Sequence, residues 1–296
     1  MRHKVGLVLG ILSLSLLLGA CTPRQMVVGS LADALAAQGS GDEADLELLR
    51  DAAPFHLKLS ESVLAQNPGH ARLAESVAAG FAQYSYAFVA FEAEQIEGRD
   101  AKAAERLRQR AARLYQRAQR HALRALEVGQ TGFGLQLSGP ATAQTRLSAD
   151  QVGLAYWGAA AWGGWISLSK DDPDVVADLP LAVRLAQLAW QTDPAWGQGA
   201  LTSLVATFEA ARAGGSQQKA LAWFDLAIEQ SAGRSAGVLL AKAEGYSLPA
   251  GDRIQFENLL QQALAIRDAA NSPLVTQNQV MHRRARWLLE QADDLF

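Results

Sequence analysis

One segment of the sequence has the residue pattern of a catalytic nucleophile, Gly233-Arg234-Ser235-Ala236-Gly237. It matches the G-x-S-x-G elbow, in which a serine sits on a sharp turn between a strand and a helix. Here both flanking segments have helical periodicity, so the strand that this chemistry needs is missing. The pattern therefore favours a turn between two helices, with Gly233 at a helix C-terminus and Ser235 as the next N-cap.

Metal binding is not predicted either. The histidines beyond residue 20 stand alone, without the spacing of metal ligands: His56, His70, His121 and His282. The acidic run around Asp172 lacks the glycine and the distal glutamate of an EF-hand loop. Asp172 before Pro173 instead predicts a helix N-cap with proline at the first helical position. The sequence thus predicts no catalytic residue, no metal and no cofactor.

The single cysteine, Cys21, is the clearest candidate for chemical modification. Basic residues at 2–4 precede the apolar run 5–18, and Leu18-Gly19-Ala20 lies directly before Cys21. This arrangement resembles the lipobox of bacterial lipoproteins, which implies cleavage before Cys21 and attachment of a lipid to its thiol. We therefore predict a signal peptide over 1–20 and an anchor and linker over 21–43. The alternative is an ordinary secretory signal beside a chance cysteine.

Charge narrows the class of partners. Loss of residues 1–20 leaves 25 basic and 30 acidic residues, so the mature chain is acidic. Nucleic acid is not an expected partner for that balance. The absence of an aspartate at position 22, which is Thr22, favours the outer membrane as the site of the anchor.

A row of arginines stands out in this acidic chain. Its members follow a spacing of four and three residues, which places them on one face of a helix: Arg106, Arg110, Arg113, Arg117, Arg120 and Arg124. We call this face the arginine stripe. One interpretation is a solvated face partly paired with Glu92, Glu94 and Glu97. The other is a docking surface for an acidic partner, lipid headgroups or an anionic solute.

The elements that position these residues are all predicted to be helices, so the fold class is all-α. Helical spacing of apolar residues covers 44–66, 70–97, 100–128, 149–169, 180–192, 199–212, 216–231, 235–246, 253–269 and 274–294. Glycine and proline separate them, which predicts antiparallel helical hairpins. The segment 129–147 has no helical period and is expected to be a long loop.

Three segments repeat the same spacing of small and apolar residues. They are Ala182, Ala186 and Ala189; Ala220, Phe224 and Ala227; and Phe256, Leu260 and Ala263. The offsets lie near the length of a tetratricopeptide repeat. We therefore predict a single domain over 44–296, an irregular tetratricopeptide-like array of helical hairpins around a buried central helix.

That central helix is the uncharged segment 151–169. A capping box, Ser148-x-x-Gln151, predicts its start. Its aromatic residues point in all directions, so it must be enclosed by protein or lipid. Glycine and alanine dominate its composition, which favours a protein core over a membrane span, with Gly158, Gly163 and Gly164 admitting close neighbours.

The aromatic residues of this helix suggest a second hypothesis. At least one of Trp157, Trp162 and Trp165 is proposed to line an internal pocket together with Tyr84 or Phe88. Large rings beside glycines fill space unevenly, which favours a cavity. The alternative is that each ring simply packs in the core.

Four blocks of sequence resemble the TatT family, the T components associated with tripartite ATP-independent periplasmic (TRAP) transporters. They are AAPFHLKLSESVLAQNPGHARL (52–73), YSYAFVAFEAE (84–94), YWGAAAWGGWISLSKDDPDVVADLP (156–180) and HRRARWLLEQADDLF (282–296). The resemblance implies a periplasmic, lipid-anchored helical protein that forms a homo-oligomer, a trimer being one form. It also implies binding to the solute-binding subunit of the transporter, and it brings no catalytic residues.

Two functions follow as expectations. The first is a non-enzymatic lipoprotein that assists TRAP-type uptake by binding the receptor subunit and a small apolar or anionic solute. The second is a general tetratricopeptide scaffold of cell-envelope assembly, which binds proteins and no solute.

Overall fold

The computed structural model describes residues 23–37, 42–140, 145–269 and 272–296, and the regular structure of these ranges is helical. The predicted all-α class is therefore confirmed. The signal peptide over 1–20, Cys21 and most of the linker lie outside the described residues.

The chain forms these helices in order: α1 Pro23–Ala37, α2 Leu46–Gln66, α3 Ala71–Tyr84, α4 Phe91–Ile96, α5 Ala101–Gly129, α6 Phe133–Ser138, α7 Val152–Ser167, α8 Pro173–Ala177, α9 Leu179–Thr192, α10 Ala200–Ala211, α11 Gln217–Ser231, α12 Ala236–Lys242, α13 Arg253–Ala265, α14 Val275–Glu290 and α15 Ala292–Leu295. Two π-helical segments interrupt this pattern. The first, Ser85–Ala90, joins α3 to α4, and the second, Ala243–Ser247, extends α12.

The structure corrects two details of the helix prediction. The expected loop over 129–147 contains α6, a short helix that begins after Gly132, whose φ is 82°. Phe133 and Leu137 hold this helix because both are buried in the main core, one turn apart. The segment predicted as helical to residue 269 ends at Ala265, since Ile266 has an extended backbone.

The predicted central helix is α7. It packs against α3, α5 and α9, and its buried residues include Leu154, Ala159 and Trp162. The predicted glycines make this packing possible because a Cβ atom there would crowd a neighbouring side chain. That atom would lie 3.0 Å from Ala122 at Gly158, 2.8 Å from Phe208 at Gly163 and 2.7 Å from Tyr115 at Gly164. No helix among the described residues is long and apolar enough to cross a membrane.

The repeated spacing correctly marks the core-facing side of three helices. All nine residues of the three predicted sets are fully buried, on α9, α11 and α13. Consecutive helices from α9 to α14 pack against one another, so each buries the apolar face of its neighbour. The tetratricopeptide-like character of this array stays a prediction.

The helix caps explain most of the predicted turns. Ser148 and Gln151 form the predicted capping box, and Asp172 accepts hydrogen bonds from the first turn of α8. The G-x-S-x-G turn differs in detail from its prediction. Ala232, not Gly233, is the C-cap of α11, and the Ser235 side chain does not cap α12. The buried amide of Asn278 does so, accepting the Ala236 N–H at 2.9 Å.

Candidate functional site

A cavity of about 640 Å³ lies between α1, α2, α3, the first π segment and α14. We call it the main cavity. Small residues on facing helices leave the space open, among them Ala52, Ala53, Ala79 and Ala87. A cavity of this size, lined mainly by carbon atoms with few polar groups, is typical of small-molecule sites.

Two charged residues, Arg72 and Glu75, line the main cavity at the α3 N-terminal end. Arg72 is exposed there and forms no ion pair with any described residue. Burial raises the pKa of the neighbouring Glu75 carboxyl, and the positive charge of Arg72 opposes that rise. The Glu75 carboxylate lies against Gly153 of α7, where a Cβ atom would collide with it. Arg72 is therefore the free positive group at this end.

The opposite end of the main cavity is aromatic. Tyr84 and Phe88 lie there with ring centroids 5.5 Å apart. Tyr86 lines the same end from the first π segment. Arg72 and Phe88 are separated by about 24 Å along the helix, at 1.5 Å per residue. One end of the cavity thus carries Arg72 and Glu75, and the other end, a long distance away, is aromatic.

The structure separates the predicted aromatic set into two groups. Trp162 is buried in the main core, while Trp157 and Trp165 are half-buried and pack against the same core. None of the three tryptophans lines the main cavity with Tyr84 and Phe88. Their role beside a bound solute stays a prediction.

Sequence reasoning missed a second cavity of about 260 Å³, which lies between α7, α10, α12 and α14. Tyr86, Gln277 and Met281 line both cavities and so form the wall between them. Tyr86 belongs to one of the sequence blocks quoted above, but the spacing of apolar residues in that block does not predict a π segment. Segments of this kind occur frequently at functional sites.

Two consecutive arginines of α14 hold the first π segment in place. Arg283 donates a hydrogen bond to the carbonyl of Ala87. Arg284 pairs with Glu244 of the second π segment at 2.6 Å and with Glu94 of α4 at 3.0 Å. Its guanidinium also lies 5.5 Å from the centre of the Tyr86 ring. One side chain therefore connects both π segments.

The arginine stripe lies on the outer face of α5. Five members are exposed and form no ion pair with any described residue: Arg106, Arg110, Arg113, Arg120 and Arg124. Arg117 differs, because it pairs with Glu61 of α2 and lies 4.8 Å from the Phe81 ring centre. Two of the three partners suggested by sequence pair with arginines outside the stripe: Glu97 binds Arg108 and Glu94 binds Arg284.

Glu61 is the centre of a small charged cluster between α2 and α5. Burial alone would raise its pKa, but hydrogen bonds from Arg117, Lys58 and His121 outweigh burial and lower the pKa to about 2. His121 approaches Glu61 at 2.8 Å, and burial lowers the pKa of its imidazole. This cluster ties the middle of the stripe to the fold, so the exposed arginines on either side are the ones free to meet a partner.

One known protein and one protein family match most of this chain in sequence. An uncharacterized protein of Treponema pallidum (strain Nichols) is 27% identical to this chain over 308 residues, covering 95% of this chain and 94% of that protein. The sequence model of the TRAP transporter T-component family matches residues 42–296, which contain both cavities, the arginine stripe and the Arg284 network. The chain therefore belongs to the TRAP transporter T-component family.

Proposed function

We propose that this T component assists uptake by holding an amphipathic organic acid in the main cavity while it binds the solute-receptor subunit of the transporter. Family membership supports an association with TRAP transport. The observation that carries the solute proposal is the cavity itself, with unpaired Arg72 at one end and Tyr84, Tyr86 and Phe88 at the other. A carboxylate suits the arginine, since guanidinium binds carboxylates in a two-point geometry.

Filling the main cavity is expected to abolish solute binding. Ala53 lines the cavity from α2, so Ala53→Trp places an indole in the space that the solute chain would occupy. We expect the dissociation constant for dodecanoate, measured by calorimetry, to rise at least about tenfold, a loss of about 1.4 kcal/mol. Ala65→Trp is the matched control, because Ala65 is an exposed residue of the same helix and does not line the cavity. Equal affinities in the two variants would contradict the proposal.

Receptor docking is assigned to the arginine stripe. Reversal of Arg113, Arg120 and Arg124 to glutamate is expected to slow association with the receptor subunit about tenfold at low salt, because like charges would then oppose an acidic face. Surface plasmon resonance at increasing salt measures the effect. Arg117 is left intact because its pairing with Glu61 ties it to the fold.

A second triple variant controls for net charge in that experiment. Lys170, Lys219 and Arg286 are exposed residues on other helices or turns, and their reversal to glutamate changes the net charge equally. It should leave the association rate within about twofold of wild type, because rim charges act mainly near the docking site. If both triples slow binding alike, the effect is one of net charge and the stripe is not the docking face.

We also propose that Cys21 anchors the protein to the periplasmic face of a membrane, with the outer membrane favoured. The supporting feature is the basic, apolar and small-residue pattern that precedes the cysteine. Cys21→Ser removes the thiol that would accept the diacylglycerol, so labelled palmitate should be absent from the variant and present in wild type. Equal labelling of the two would refute lipidation at this position.

We also propose that the protein forms a homo-oligomer, a trimer being one form.

A further inference from the structure

Three side chains, Tyr86, Gln277 and Met281, line both cavities and form the wall between them. Tyr86 comes from the first π segment, whereas Gln277 and Met281 lie one turn apart on α14. The Tyr86 hydroxyl reaches the Met281 sulfur at 3.8 Å, which closes the aromatic end of the main cavity. We propose that Met281, closed against Tyr86, sets the longest unbranched acid that the main cavity accepts. This inference rests on the proposed function.

Of the two side chains in this contact, Tyr86 is the more tightly held. Arg284 lies against its ring and is itself held by Glu244 and Glu94. Arg283 binds the carbonyl of Ala87, the next residue in the chain. Because burial raises the pKa of the Tyr86 phenol, the hydroxyl keeps its proton and can donate it to sulfur. A side chain constrained on this many sides has little freedom to swing aside.

The Met281 side chain is the one that can change conformation. It is only half-buried, and its side chain is unbranched and flexible, so it changes rotamer at low cost. Its sulfur is a weak acceptor, and the hydrogen bond from Tyr86 restrains it little. Gln277 is less free, because its amide lies close to the backbone of Gly237. The length of the solute chain is therefore limited by one methionine.

The second cavity offers a place for the end of a longer chain. Leu204, Val238 and Leu240 supply carbon surface there. The one carboxylate in its wall, Glu244, is paired with Arg284, so it presents little free charge to an apolar chain. An acid with its carboxylate at Arg72 extends about 21 Å along α3 before it reaches Tyr86. Acids longer than that distance need the second cavity, and Met281 stands in the way.

Calorimetric titration of the full-length protein with octanoate, dodecanoate and eicosanoate tests the inference, each acid being used below its micellar concentration; of the three, only eicosanoate is longer than the distance from Arg72 to Tyr86. Met281→Ala should strengthen eicosanoate binding at least tenfold relative to octanoate. Met281→Leu, which keeps the volume, should retain the wild-type order of affinities. Val280→Ala is the matched control, since Val280 lines only the main cavity. It should weaken all three acids by a similar factor.

The outcomes separate the inference from the proposed function. If wild type binds the acids and Met281→Ala leaves their relative affinities unchanged in a protein with normal circular dichroism, the length limit is not set by Met281 and the inference is overturned. If wild type binds none of the three acids, the solute proposal itself fails and the inference fails with it. If Met281→Ala does not fold, Met281→Phe decides the matter: the larger ring should exclude eicosanoate further while octanoate still binds, and an unchanged order would overturn the inference.

Discussion

Trp162→Ala is expected to lower the free energy of unfolding by about 3–5 kcal/mol, the usual cost of removing a large aromatic side chain from a filled core. Trp162 lies on the central helix α7 with only 4% of its surface exposed, and it belongs to the main hydrophobic core. Trp157 and Trp165 of the same helix are half-buried, so the same change at either should cost less. Urea unfolding monitored by circular dichroism measures all three variants.

The indole nitrogen of Trp162 provides a second comparison. It has no hydrogen-bond partner among the described residues. Trp162→Phe keeps an aromatic ring and removes this unpaired donor, so its cost should be about 1 kcal/mol. If the alanine variant were nearly as stable as wild type, Trp162 would border open space, and the sequence hypothesis of a pocket lined by this ring would gain support.

Arg284→Met is the second change with a large expected effect. The substitution leaves Glu94 and Glu244 facing each other without the cation that pairs with both. Breaking a buried ion pair costs about 3–5 kcal/mol, and we expect about 3 kcal/mol because the two carboxylates are partly exposed. Chemical unfolding measures the loss. It should accompany a loss of order in the first π segment, visible as faster amide exchange at Tyr86 and Ala87.

Arg286→Met is the matched control for Arg284. It removes the same charge from the same helix, but Arg286 is exposed and forms no ion pair with any described residue, so the free energy of unfolding should change by no more than about 0.5 kcal/mol.

A further variant separates the effect of charge from the effect of packing. Adding Glu94→Gln and Glu244→Gln to Arg284→Met removes the uncompensated carboxylates and should restore part of the lost stability. A triple variant no more stable than Arg284→Met would mean that packing against Tyr86 dominates.

Periodicity predicted the helices because the apolar face of each element is a local property. The three repeated sets between Ala182 and Ala263 are fully buried for that reason. Glycines on the central helix predicted close packing correctly, since only a missing Cβ atom permits the approach of Tyr115 to Gly164. Both kinds of inference need only residues that lie near one another in sequence.

The main cavity depends on contacts between residues that lie far apart in sequence, and local sequence patterns do not contain this information. The main cavity joins α1 to α14, which lie at opposite ends of the described chain, and its wall depends on a π segment. One interpretation of the arginine stripe paired it with the acidic residues just before α5, yet Arg117 pairs with Glu61 of α2, 56 positions away. Tertiary packing decides which charged side chains pair. A single sequence does not show which helices pack together.

The most direct test of the account is to locate a labelled acid in the protein. Crystals grown with ω-bromohexadecanoate, measured at the bromine absorption edge, should give an anomalous peak near Tyr86 and Met281, with the carboxylate beside Arg72. That result would place an amphipathic acid along the main cavity in the proposed direction. A fully occupied ligand found only outside the main cavity, or crystals that show no bromine at saturating acid, would contradict the account.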